Sequence, residues 1–178
     1  MRSSIEKIPL RAPGGYNVIV ETPRASRVKF AYDISAGLFR AKKLLAMGFA
    51  FPWPFGFFPS TLADDGDPLD VLVLTDLDLP VGALVRCRII GGVAVEEAVS
   101  DQGERLRNDR LVAVPLLHHQ DRPPHALSDL PSAELKDLED FLVAYQQADG
   151  KAVKIVGRLG KSEAEAVIEH AVRTFDGG

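Results

Sequence analysis

Residues 16–22, YNVIVET, alternate apolar and polar positions and are rich in β-branched side chains, the pattern of a strand with one buried face. The same reading makes strands of RVKFAYD at 27–33, of the apolar run Val71–Leu74 and of RLVAVP at 110–115. LVRCRII (84–90) and GVAVEEA (92–98) read as two further strands joined by a hairpin turn at Gly91-Gly92. FAFPWPFGFFPSTL, at 49–62, breaks the alternation: its prolines at 52, 54 and 59 forbid a regular helix or a central strand. It predicts a rigid extended segment lined with rings.

The period then changes. Residues 118–131, HHQDRPPHALSDLP, are polar and turn-rich and predict a surface loop. From about Ser132 to Ala148, Leu135, Leu138, Phe141, Leu142 and Tyr145 recur at helical spacing, and Asp149-Gly150 ends the helix. AVKIVG at 152–157 supplies one more strand. A last helix opens with Ser162 and Glu165 as a capping box, and Ala164, Val167, Ile168, Ala171, Val172 and Phe175 form its buried face. Short strands followed by two helices predict a mainly β fold, a small barrel with helices packed outside it. The 178 residues suit a single domain spanning 1–178 with one substantial core.

Composition narrows the function classes. A formal net charge of −4 argues against nucleic-acid binding, which calls for a basic face. No apolar run approaches membrane-spanning length, and MRSSIEKIPLRAPGG has no signal-peptide core, so the expectation is a cytoplasmic protein without a membrane partner. The lone Cys87 fits a reducing compartment and reads as a small buried hydrophobe. His118, His119 and His125 sit in the Pro-rich loop without zinc-site spacing and read as solvated. GGVAV lacks the lysine and hydroxyl of a nucleotide-binding loop.

One stretch resists a purely structural account. In ADDGDPLDVLVL, at 63–74, four carboxylates precede an apolar strand, and crowded carboxylates raise one another's pKa unless a cation or water keeps them ionised. A polar Asp/Gly turn is one reading. A calcium loop is excluded, because Leu69 and Asp70 stand where it requires a ligand and a glycine. A magnesium site is the third reading, with carboxylates holding a hydrated ion that also touches substrate phosphates. Further acids at Glu21, Asp101 and Asp109, and cations at Lys29, Lys42, Lys43 and Arg110, are available for it, though no spacing rule joins them.

Asp65-Gly66-Asp67-Pro68-Leu69-Asp70 matches a D-G-D-P-x-D signature, and with it the chain resembles the soluble, magnesium-dependent inorganic pyrophosphatases. VIVETP, RVKFAYD, FPWPFGFFPSTL, RCR at 86–88, RLVAVP and the Tyr145 helix follow in that family's order. The resemblance implies a five-stranded OB-like barrel with two flanking helices, a cytoplasmic homo-oligomer (often a hexamer in bacteria), and hydrolysis of diphosphate. Carried over, it implies Mg²⁺, with Mn²⁺ as substitute, held by Asp65, Asp70 and Asp101, with Glu21 nearby through water. Asp67 is the implied general base. Lys29 and Tyr145 are implied phosphate ligands, and Lys43, Phe55 and Arg110 stand at further substrate-side positions.

The departures also lie in the site. Phe51 and Phe55 replace tyrosines, Lys43 an arginine, Gln146 a lysine and Ala31 a glutamate. A D-x-K motif appears as Asn108-Asp109-Arg110, so either Asn108 has replaced a metal ligand or Asp109 serves from a shifted register. Two alternatives therefore stand beside diphosphate hydrolysis. One is a non-catalytic or weakly active paralogue that binds metal and phosphate. The other is a hydrolase retuned to another phosphoanhydride, with the phenylalanines offered to an organic group.

Overall fold

The computed structural model describes residues 5–98, 104–117, 123–148, 150 and 152–177. Asp101, His118, His119 and Asp149 lie outside the described residues. In chain order the strands are β1 (Arg11–Ala12), β2 (Gly15–Thr22), β3 (Val28–Asp33), β4 (Leu38–Leu44) and β5 (Phe55–Phe57). They continue as β6 (Asp70–Val73), β7 (Leu84–Ala98), β8 (Arg105–Arg107), β9 (Arg110–Pro115) and β10 (Val153–Leu159). Two helices, α1 (Ser132–Gln147) and α2 (Lys161–Gly177), flank β10.

Five strands close into a ring in the order β2, β5, β6, β9, β7 and back to β2. Only the β6–β9 seam is parallel, with Val71 opposite Leu111 and Val73 opposite Ala113. Closure leaves no open edge in the ring. This is the expected mainly β architecture, a five-stranded OB-like barrel with two helices. The barrel interior is filled by Val18, Val20, Val71, Val73, Val85, Cys87, Ile89, Leu111 and Ala113, and α2 covers it with Ala164, Ile168 and Ala171. A second core lies on the outer face, where Leu135, Leu138, Leu142 and Tyr145 of α1 pack on Phe51, Phe55, Leu72, Val93, Val95 and Val112.

β7 corrects the sequence reading. Gly91-Gly92 is not a hairpin turn; the chain runs through it as one 15-residue strand. Its first four residues pair with β2, its middle with β9, and its far end with β10 and β8. The register on β9 shifts between Ile89 and Gly91, a bulge in which Gly91 takes φ 149°. A side chain there would meet Leu159 O at 2.5 Å and Leu127 Cγ at 2.7 Å, so only glycine fits. The bulge reverses the strand's parity. Val85, Cys87 and Ile89 face the barrel interior, whereas Val93 and Val95, still odd-numbered, face the α1 side.

Smaller corrections follow from local chemistry. LFRAKKL, not anticipated as a strand, forms β4 and pairs with β3 as a separate hairpin. α2 begins two residues earlier than a Ser162 cap implies, and the carboxylate of Glu163, not of Glu165, accepts the backbone N–H of Gly160 at 2.7 Å. The 49–62 segment bends at 52–53 and turns at 59–60, and its centre, contrary to expectation, forms β5, a central strand between β2 and β6.

Candidate active site

The D-G-D-P-L-D segment is a turn locked at both ends. Ala63 N–H donates to Asp67 O at 2.8 Å, Gly66 N–H to Ala63 O at 3.0 Å, and Gly66 takes φ 87°. Asp65 Oδ1 accepts the Asp67 N–H at 3.1 Å. Buried Thr61 accepts the Leu69 N–H at 3.0 Å, which pins the turn to the barrel mouth and lets Asp70 open β6. Opposite, the β3–β4 hairpin is tied to the end of β2. Tyr32 N–H donates to Glu21 Oε1 at 2.8 Å, and Phe30 N–H to Thr22 Oγ1 at 3.1 Å.

Between turn and hairpin lies a cavity of about 230 Å³. Glu21, Asp65, Asp67 and Asp70 line it together with Lys29, Lys42, Arg110 and Tyr145, and Arg110 lies 3.0 Å from Asp70 Oδ2. Burial pushes the Glu21 carboxyl up to about 7, helped by the charges of Asp70 and Asp67 and opposed by the Tyr32 N–H and Lys29. Asp70 is raised likewise, by burial first and by Asp65 and Asp67, against Arg110 and Lys29. Burial disfavours the charged form of Lys29, but Tyr145 and Asp70 outweigh it, and the net shift is upward. Lys29 Nζ stands 5.5 Å from the Phe55 ring centre and 5.6 Å from that of Tyr145. The ammonium therefore stays charged while rings limit its movement.

These donors suit a hydrated, oxygen-loving divalent ion. Carboxylates pressed together are held partly protonated without a cation, and a cation would relieve that. Among the described residues no three Asp, Glu, His or Cys side chains are spaced to close on one ion.

A family model described as inorganic pyrophosphatase matches residues 18–176. An inorganic pyrophosphatase of Sulfolobus acidocaldarius is 34% identical over 174 residues, which cover 94% of this chain and 95% of that one. The chain belongs to the inorganic pyrophosphatase family. One from Gluconobacter oxydans is also 34% identical, covering 90% of this chain and 91% of its own. The crystal structure of an inorganic pyrophosphatase from Neisseria gonorrhoeae superposes with a TM-score of 0.85 at 30% identity, covering 97% and 99% of the two chains. The Thermus thermophilus enzyme gives a TM-score of 0.86 at 25% identity, covering 98% and 99%. Pyrophosphatases of this family require a divalent metal.

Against that family background the site's departures acquire places. Asn108, not Asp109, faces the cavity: its Nδ2 donates to Asp65 Oδ2 at 3.0 Å and to Glu97 Oε1 at 3.1 Å. Asp109 points the other way, accepting the Val95 N–H at 3.2 Å and pairing with Arg107. Its expected metal role has no support in this geometry. Phe55 is 3% exposed and Phe51 1%, and neither lines the cavity; they pack together, and Phe51 packs on Tyr145. Phe55 meets Lys29 instead, its ring centre 5.5 Å from the ammonium. Lys43, paired across the hairpin with Lys29, sets its Nζ 5.2 Å from the Tyr145 ring, outside the cavity lining.

Glu97 was missed altogether. Its buried carboxylate meets Arg110 at 3.2 Å, Asn108 at 3.1 Å and Gln146 at 2.8 Å, all on Oε1. The signal was faint: Glu97 shares strand parity with Val93 and Val95, but its face follows only once the Gly91 bulge is known.

Proposed function

We propose that this protein hydrolyses inorganic diphosphate to two orthophosphates in the cavity between the D-G-D-P-L-D turn and the β3–β4 hairpin. The observation that carries the reading is a cavity of about 230 Å³ in a family member, lined by four carboxylates together with Lys29, Lys42 and Arg110. Diphosphate enters with one end toward Lys29 and Tyr145, which hold phosphate oxygens. Asp67, exposed at the mouth, accepts the proton of the attacking water. The water oxygen bonds to phosphorus as the bridging P–O bond breaks, and the departing phosphate carries away the electron pair and takes up a proton. Asp65 and Asp70, with Glu21 nearby, would hold Mg²⁺ or Mn²⁺, which would neutralise charge on the phosphates and acidify a bound water.

Phe51 and Phe55, the rings that a retuned hydrolase was expected to offer to an organic group, lie outside the cavity lining, which favours the inorganic substrate. The same reading has residues 1–178 working as one domain in a cytoplasmic homo-oligomer, a hexamer by resemblance. Leu38, Leu44 and Met47, 66–91% exposed on and beside the hairpin, are apolar side chains that subunit contact would cover. Phosphate release from diphosphate, with Mg²⁺ and then Mn²⁺, tests the function. Turnover that Asp67→Asn abolishes is expected. A wild-type protein as silent as the variant would defeat the proposal.

A further inference from the structure

Arg110 is a buried cation set among the acids that line the cavity. Its side chain is 7% exposed, with Nη1 3.0 Å from Asp70 Oδ2 and Nη2 3.2 Å from Glu97 Oε1. Nη1 also donates to the side-chain and main-chain oxygens of Asn108. Asn108 and Gln146 then donate to the same Glu97 oxygen that Arg110 engages. Guanidinium keeps its proton at any working pH and spreads its donors in a rigid plane, so it can span two carboxylates as a divalent ion would. Asp109, the one acid of this strand end, is turned away and paired with Arg107.

We propose that Arg110 is the resident counter-ion of the Asp70–Glu97 pair, closing that pair to metal and confining divalent ions to the side of the cavity formed by Asp65, Asp67 and Glu21. Asp70 then meets any ion there with only its second oxygen. The assignment rests on the metal site of the proposed function, not on turnover. Its chemical consequence is an exchange: a protein cation that cannot leave occupies a position where a dissociable metal would otherwise sit.

Counting bound Mn²⁺ by electron paramagnetic resonance on the substrate-free protein tests it. Arg110→Met is expected to bind one more Mn²⁺ per chain than wild type. Its melting temperature, lowered in chelator, should recover with Mn²⁺ by more than wild type gains. Arg110→Lys, which keeps the charge, should retain the wild-type count. An Arg110→Met protein that folds and binds the same number or fewer overturns the assignment. Wild type supplies an arm that does not depend on the variant folding. In protein labelled with ¹⁵N-arginine, the slowly exchanging Arg110 guanidinium signals should persist at saturating Mg²⁺; their disappearance would mean that metal displaces the guanidinium. Metal counts that behave as expected in a protein that releases no phosphate would leave this assignment standing and remove the hydrolytic one.

Discussion

Lys29 is positioned by aromatic rings and nearby acids. Phe55 and Tyr145 flank its ammonium, Asp70 attracts it, and the backbone of its strand is tied to β2 at Phe30 and Tyr32. Charged hydrogen bonds of the kind it would give a phosphate contribute about 1.5–3 kcal/mol each, or roughly 10- to 150-fold in rate. Lys29→Gln should therefore lower kcat/KM for diphosphate by about that factor, with Lys29→Arg recovering part of it. Unchanged kcat/KM in steady-state phosphate release would remove Lys29 from the site. At this scale the sequence was informative where chemistry is contiguous: Asp65, Asp67 and Asp70 needed only one turn to converge on one cavity. It was ambiguous at Asn108-Asp109-Arg110, although strand alternation held the answer. Asn108 and Arg110, two apart, share a face, and Asp109 between them takes the other.

Elements were legible where one period dominates. α1 ends at Gln147, beside the expected Ala148, because its apolar face is unbroken, and β2 and β9 fall where alternation and β-branching put them. Gly-Gly in β7 misled because a bulge and a hairpin make the same local demand, glycine in a conformation other residues avoid; only the paired strands decide between them. β4 escaped notice because its side chains are mostly exposed and its pairing with β3 gives no strong apolar pattern. Gly91→Ala tests the bulge. Its new methyl would press on Leu159 O and Leu127 in a core that does not yield freely, a cost of about 1–3 kcal/mol. The denaturant midpoint should fall accordingly, and phosphate release per folded molecule should fall too, since the bulge sets the face on which Glu97 meets Arg110. A variant with the wild-type midpoint would show that the strand tolerates a side chain there.

For the molecule as a whole, the acid cluster makes stability and metal binding one problem. Glu21 has a folded value of about 7 against an ordinary 4.5. Below the ordinary value both folded and unfolded chains hold the proton, and this group has no effect. Between the two values only the folded chain holds it, so raising the pH favours unfolding, and above about 7 the penalty is complete at roughly 3 kcal/mol. The upward shift of Asp70 acts in the same direction. A divalent ion reverses this, because it binds the ionised acids of the folded protein; at a hundred times its dissociation constant it adds about 2.7 kcal/mol. Metal-free protein should therefore melt at a lower temperature at about pH 8 than at about pH 5.5. The gain from millimolar Mg²⁺ should be larger at the higher pH, where the acids have already lost the protons that Mg²⁺ would have to displace. Calorimetric melts at both values, with chelator or with Mg²⁺, read all four quantities. Equal Mg²⁺ gains at the two pH values would mean that the ion does not bind the carboxylates that burial holds protonated, and the metal site would have to lie elsewhere.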